Sequence, residues 1–418
     1  MRFTPALFHH AETLLSELLR SAFPADLVVS HYFRQHRELG HGDRGFVAET
    51  VFAVLRRKRS LSARCADELT SRRLLLATLA CLQGMNRREL ACVLNESESK
   101  WLAQAKAVNA ADLPPAVRLD LPDWLYDEFM TRFSADEVTA LAQGLNQPAP
   151  LDLRVNPLKA TRPAVLARLL ADGLVAAPCA YSPLGIRLAG KPALSKHPLF
   201  IDGSIEVQDE GSQLLGFLLQ PGRGEMVADF CAGAGGKTLL LGALMRSQGR
   251  LYAFDVAERR LAKLKPRLAR SGLSNVHPVW IDSERDLRVR RLAGKFDRVL
   301  VDAPCSGLGT LRRNPDMKWR QTPAGIAELC SKQAAILAAA ASLVKPGGRL
   351  VYATCSLLDA ENERVVQAFL AQRTDFVTCS AQEILARQEI AIDLGERLQL
   401  FPHRHGTDSF YAAVMERK

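Results

Sequence analysis

Val227-Ala228-Asp229-Phe230-Cys231-Ala232-Gly233-Ala234-Gly235-Gly236-Lys237-Thr238 reads as the end of a buried strand, a glycine turn and the start of a helix. Glycines between a strand and a helix let the backbone approach a ligand, with the helix N-terminus behind it. Two familiar loops come close and fail. A Walker A loop needs glycine where Cys231 stands, and a dinucleotide fingerprint needs glycine where Thr238 stands. The turn therefore points to another nucleoside-type ligand.

Strands and helices alternate outward from this turn. Met226 to Phe230, Leu251 to Phe254, His277 to Trp280, Phe296 to Val301 and Leu350 to Ala353 read as strands. Thr238 to Met245, Glu258 to Ala269, the Ala-rich Gly325 to Val344 and Glu363 to Gln372 read as helices. Such alternation predicts an α/β domain with a doubly wound, Rossmann-like sheet. Its second strand ends at Asp255, where a carboxylate can accept hydrogen bonds from ribose hydroxyls. Its third ends at Asp282, where an adenine amino group would lie. Any one of these could be a turn former or helix cap. Together with Asp229, which suits a cofactor bearing a cationic amino group, they favour S-adenosylmethionine.

The fourth strand runs into Asp302-Ala303-Pro304-Cys305-Ser306-Gly307 and the fifth into Thr354-Cys355-Ser356. A free cysteine at a strand end is often simply buried, but here two cysteines and a carboxylate converge where the cofactor methyl would sit. Methylation at carbon 5 of a pyrimidine needs such a set. That carbon becomes nucleophilic only after a thiolate adds to carbon 6. Asp302 is placed to meet the ring N3 and exocyclic amine. The chemistry alone leaves open which cysteine attacks.

These motifs closely resemble the RsmB/NOP/NSUN family of RNA 5-methylcytosine methyltransferases over roughly residues 145 to 418. Leu153-Arg154-Val155-Asn156-Pro157, Gln208-Asp209-Glu210-Gly211-Ser212 and Pro402-His403-Arg404-His405-Gly406-Thr407-Asp408 add to the resemblance. It implies that Cys355 is the nucleophile and that Cys305 assists product release. It also implies cofactor contacts at Cys231, Ala232, Gly233, Ala234, Gly235, Gly236, Lys237, Asp255, Asp282 and Asp302. Gly233-Ala234-Gly235-Gly236-Lys237 departs from the family's commonest Ala-Pro-Gly-Gly-Lys but keeps the Gly-Gly-Lys turn. Asp43 to Val51 is similar to the NusB-like RNA-binding domain of bacterial RsmB proteins, which act on 16S rRNA.

At 418 residues the chain is too long for one ordinary domain. We expect a helical NusB-like domain over 1–125, linker helices and a small α+β (RRM-like) module over 126–220, and the catalytic domain over 221–418. A net charge of +10 suggests a polyanionic partner, most plausibly RNA. Arg56-Arg57-Lys58-Arg59, Arg72-Arg73 and Arg87-Arg88 read equally well as solvated helix ends or as phosphate contacts. Lys159 and Arg162 carry the same two readings. Nine cysteines without a Cys-x-x-Cys pair argue against disulfides and zinc fingers and for a reducing, cytoplasmic setting. His9-His10 and His403-x-His405 lack partners at ligand spacing, so no metal is expected. Met1 to Pro5 is unlike a signal peptide, and no apolar run is expected to reach membrane-spanning length. A monomer is expected. The expected activity is cytosine-C5 methylation of RNA, most plausibly ribosomal. The alternatives are a tRNA substrate, an NAD(P)-dependent oxidoreductase, disfavoured by the incomplete fingerprint, and a catalytically silent RNA-binding assembly factor.

Overall fold

The computed structural model describes residues 3–65 and 68–418; Met1 and Arg2, the start of the stretch Met1 to Pro5, lie outside them. The chain forms two compact units, residues 1–148 with 310–321, and residues 149–309 with 322–418.

The first unit is helical. Thr4 caps the helix Pro5–Arg20, its hydroxyl accepting from the Leu7 N–H at 3.3 Å, with Pro5 at the first helical position. Leu7, Leu14 and Leu15 from this helix pack with Val47, Val51 and Val54 of the helix His41–Arg56. These are the residues whose helical spacing marks them as one face. The helices Asp123–Met130 and Ala135–Leu145 belong to this unit. By compactness the two units part within the Asn146–Pro150 linker signal. The α+β module, for its part, groups with the sheet domain.

The second unit begins with that module. β1 (Leu151–Val155), β2 (Ala176–Pro178), β3 (Gly185–Leu188) and β4 (Ile205–Val207) form an antiparallel sheet in the order β2-β3-β1-β4. The helix Arg162–Ala171 packs on it through Val165 and Leu169.

The large sheet contains β5 (Met226–Asp229), β6 (Arg250–Asp255), β7 (Val276–Trp280), β8 (Phe296–Asp302), β9 (Val344–Thr354), β10 (Phe376–Cys379), β11 (Leu398–Leu400) and β12 (Phe410–Arg417). Its order is β10-β12-β9-β8-β5-β6-β7, with β11 paired to β12. β5 to β9 run parallel, and β12 runs antiparallel to β9. The direction of winding reverses between β5 and β8, where doubly wound sheets place ligands. Successive strand residues enter opposite cores. Ala228, Val299, Val301 and Tyr352 face the helix Pro323–Leu343, while Val227, Leu300, Val351 and Ala353 face the helix Glu210–Leu219.

Three details differ from the sequence reading. The helix expected over 258–269 is two, Glu258–Leu261 and Leu264–Ser271; Pro266 has no N–H to give to the carbonyl of Ala262. β9 starts at Val344, because Val344 pairs with Phe296 before Lys345-Pro346-Gly347-Gly348 bulges out and Arg349 resumes opposite Arg298. The helix Pro323–Leu343 is long and apolar enough to cross a membrane by length and composition, contrary to expectation. Its Ile336, Leu337, Ala340 and Ala341 are buried against the sheet, which is how the core helix of an α/β domain meets the same criteria.

Candidate active site

The glycine turn leaves β5 in two left-handed steps, Gly233 at φ 56° and Gly235 at φ 84°. A Cβ on Gly235 would lie 2.2 Å from Leu264 Cδ1, so glycine is required there by both backbone and space. The turn is held on all sides. The Ala232 N–H donates to the Phe254 carbonyl at 2.9 Å, and the Gly233 N–H to Asp255 Oδ2 at 2.6 Å. Arg267 reaches the Ala234 carbonyl at 2.7 Å. Arg154, buried in β1, donates from one nitrogen to the Gly236 carbonyl at 2.7 Å and to Gln208 Oε1.

The acidic strand ends have different environments. Asp229 is buried; Oδ2 accepts from the Thr238 hydroxyl at 2.7 Å and Oδ1 has no partner. Burial pushes its carboxyl up to about 7, against the Thr238 hydrogen bond. Asp255 is buried, and its Oδ1 also accepts from the Ala257 N–H at 2.7 Å. Asp282 is largely exposed and lies 3.5 Å from Arg288. Asp302 pairs with Lys237 at 2.6 Å. Burial opposes the Lys237 charge, but Asp302 outweighs it and the ammonium pKa is raised. An orphaned, buried carboxylate oxygen beside a glycine cradle fits a ligand with a cationic donor, so the residues present suit S-adenosylmethionine.

β8 and β9 are parallel neighbours with Asp302 opposite Ala353, so their following loops leave the same edge. This places Cys305 Sγ 3.5 Å from Cys355 Sγ. Both cysteines are free and half-buried. Contact with Cys355, reinforced by burial, holds the Cys305 thiol well above the ordinary range. Burial likewise raises Cys231.

The cations that invited a phosphate reading are largely engaged within the chain. Lys159 donates to the carbonyls of Asp202 and Arg270, and Arg162 to that of Ser182. Arg59 pairs with Asp123, Arg72 with Glu98 and Arg73 with Glu68. Arg87 and Arg88 are exposed. Helix packing also brings His10 within 4.0 Å of Glu38 and near His36, correcting the expectation that the His9-His10 pair has no acidic neighbour. There His36 is bonded to Glu38 at 2.8 Å and His10 to the Tyr32 hydroxyl at 2.9 Å. Among the described residues a second group of ligand-type side chains, Asp152, Cys179 and Glu210, is occupied by Arg187, 2.7 Å from Asp152.

Sequence reasoning missed Arg154 as a prop of the glycine turn and Glu361, Asn362 and Gln333 beneath the cysteine loops. The sequence marks the Arg154 strand only through its resemblance, and Glu361 follows no spacing rule that would single it out.

A doubly wound sheet with this turn and these strand-end acids defines an S-adenosylmethionine-dependent methyltransferase. The chain belongs to the RsmB/F family: the family described as "16S rRNA methyltransferase RsmB/F" matches residues 216–416, and its ferredoxin-like domain matches residues 121–195. A "Probable ribosomal RNA small subunit methyltransferase B" from Synechocystis is 32% identical, covering 97% of this chain and 98% of that protein. Ribosomal RNA small subunit methyltransferase B of Shewanella oneidensis is 31% identical, covering 91% and 92%. Among solved structures, a methyltransferase homolog protein from Pyrococcus horikoshii superposes with TM-score 0.63 at 29% identity, over 74% of this chain and all of that one. NSun6 from the same organism, solved with SFG, shares the fold at TM-score 0.63 and 22% identity, over 71% and 98%.

Proposed function

We propose that this protein methylates carbon 5 of a cytosine in ribosomal RNA of the small subunit, through a covalent bond between Cys355 and carbon 6. The observation that carries this reading is the 3.5 Å contact between the sulfurs of Cys305 and Cys355. Burial explains a lone cysteine, but not two facing sulfurs on adjacent strand ends beside a cofactor turn. The relatives' names supply the ribosomal substrate.

The target base leaves its stack to reach the strand ends. Cys355 attacks carbon 6, and the ring becomes an enamine with electron density at carbon 5. Asp302 meets the N3 edge through Oδ1, since Lys237 takes Oδ2. Backbone groups from Cys231 to Gly236 and the side chains of Lys237, Asp229, Asp255 and Asp282 hold the cofactor; when bound, it supplies an electrophilic methyl group. The carbon-5 proton is then lost and Cys355 leaves, with Cys305 assisting. Cys305 Sγ lies 3.5 Å from the attacking sulfur, within reach of the same ring, which suits it to this second role. The helical unit and the ferredoxin-like module grip RNA by phosphate and shape, in the cytoplasm and as a monomer.

Bisulfite sequencing of total RNA from a deletion strain tests the proposal. The expected result is loss of a 5-methylcytosine from 16S rRNA; unchanged 16S rRNA with a loss in tRNA would overturn the substrate.

A further inference from the structure

Glu361 belongs to none of the sequence motifs, and its side chain is fully buried at the end of the short turn Asp359–Glu361. A buried carboxylate is costly unless its oxygens are saturated, and here they are. Oε1 accepts from the Ser306 N–H at 2.8 Å and from Gln333 Nε2 at 2.9 Å. Oε2 accepts from the Ser306 hydroxyl at 2.5 Å and from the Ser356 hydroxyl. Ser306 directly follows Cys305, and Ser356 directly follows Cys355. The two hydroxyls are themselves 3.1 Å apart.

The surroundings extend the same bridge. Gln333 Nε2 also donates to the Pro304 carbonyl at 3.0 Å, holding the Cys305 loop from its other side. The Tyr352 hydroxyl donates to the Glu361 carbonyl at 2.7 Å, so the turn is anchored to β9. The side-chain amide of Asn362 donates to the Ser356 carbonyl at 3.0 Å. An apolar side chain would fill this volume at lower cost. Every side-chain acceptor of Glu361 is instead spent on the two cysteine loops and on the glutamine that props one of them.

We propose that Glu361 is a positioning residue that fixes the spacing of Cys305 and Cys355 by bridging the serines that follow them. This spacing serves catalysis on the reading given above, that one sulfur attacks and the other assists release. The spacing itself is a property of the folded chain and needs no RNA.

The test measures the spacing directly. Diamide joins two adjacent thiols into a disulfide, taking up the two protons and two electrons released. The rate at which the Cys305–Cys355 cross-linked peptide appears by mass spectrometry reports how the sulfurs are held. In Glu361→Ala the rate should fall roughly tenfold or more, as expected when a preorganised pair loses its geometry. Glu361→Gln keeps one acceptor for the Ser306 N–H and offers its amide to the two hydroxyls, and it should cross-link within about threefold of wild type. Ser306→Ala/Ser356→Ala removes the hydroxyl half of the bridge and should behave like Glu361→Ala, which keeps the test usable if that variant folds poorly. Methylation assays of the same proteins should show kcat falling in step with cross-linking while the cofactor KM holds. Wild-type cross-linking in folded Glu361→Ala, or in the double-serine variant, would overturn the proposal. Cross-linking that falls as stated in a protein whose wild type methylates no RNA would instead overturn the proposed function and leave the positioning role standing.

Discussion

The sulfurs of Cys305 and Cys355 sit 3.5 Å apart across the ends of two adjacent parallel strands. Neither sulfur can act on a pyrimidine without the other being close to the same ring. Cys355→Ala should lower methylation by at least roughly 10⁴-fold, since the covalent step has no substitute. Its affinity for S-adenosylmethionine, read by calorimetry, should stay at the wild-type value. Cys305→Ala should instead accumulate a protein–RNA adduct that survives a denaturing gel. Near-normal turnover in the first variant, or no adduct in the second, would remove the reason for giving the sulfurs different tasks.

Lys237 and Asp302 form an ion pair at 2.6 Å with both side chains largely shielded from water. Removing one partner of such a pair leaves a charge unpaired, at a cost of about 2 kcal/mol once the partial exposure of Asp302 is allowed for. Asp302→Asn should show that loss in urea denaturation. Lys237→Met/Asp302→Asn should recover most of the stability and none of the activity, which separates the structural cost from the functional one. Wild-type stability in Asp302→Asn would show that the pair contributes nothing to the fold.

Much of the catalytic unit is legible in the sequence because a buried parallel sheet imposes a strong pattern. Val227, Leu300 and Val351 face one core and Ala228, Val301 and Tyr352 the other, so each strand is a short apolar run ending in a polar residue. The strand-end residues Asp255, Asp302, Cys305 and Cys355 follow from that register. What the sequence hides is contact between distant residues. Arg154 meets Gly236, and Glu361 meets Ser306, through folds of chain that no local period reports. The same limit applies to the cations: Lys159 and Arg162 read in the sequence as phosphate contacts or solvated charges, and neither reading shows that their side chains close on backbone carbonyls.

Asp229 gives the stability a distinct pH signature. Burial raises its folded carboxyl from 3.8 to about 7, so the fold favours the protonated form. Its contribution is present in full below the unfolded value, and it is lost as pH rises through the folded one. Between about pH 4 and about pH 7 the wild type should lose on the order of 3–4 kcal/mol relative to Asp229→Asn, whose amide does not titrate. Denaturant titrations of both proteins across that range measure the difference. A constant difference would mean that Asp229 is solvated or ionised in the folded protein.

Arg154 links the small antiparallel sheet to the cofactor turn. Its guanidinium is buried, burial lowers its pKa to about 10, and it donates to the Gly236 carbonyl at 2.7 Å. Gly236 opens the helix Gly236–Leu244 directly after the left-handed Gly235 of the turn. Replacing a buried cation by an apolar side chain of similar length is often close to neutral for stability, because the desolvation cost disappears with the charge. Arg154→Met should therefore change unfolding free energy by less than about 1 kcal/mol. The turn, however, loses a charge-assisted hydrogen bond that holds it against β1. S-adenosylmethionine binding should weaken by roughly tenfold, the equivalent of one such bond. The two measurements together discriminate: a large stability loss with unchanged binding would make Arg154 an ordinary buried strut, whereas weakened binding at constant stability identifies it as the residue that sets the cofactor turn.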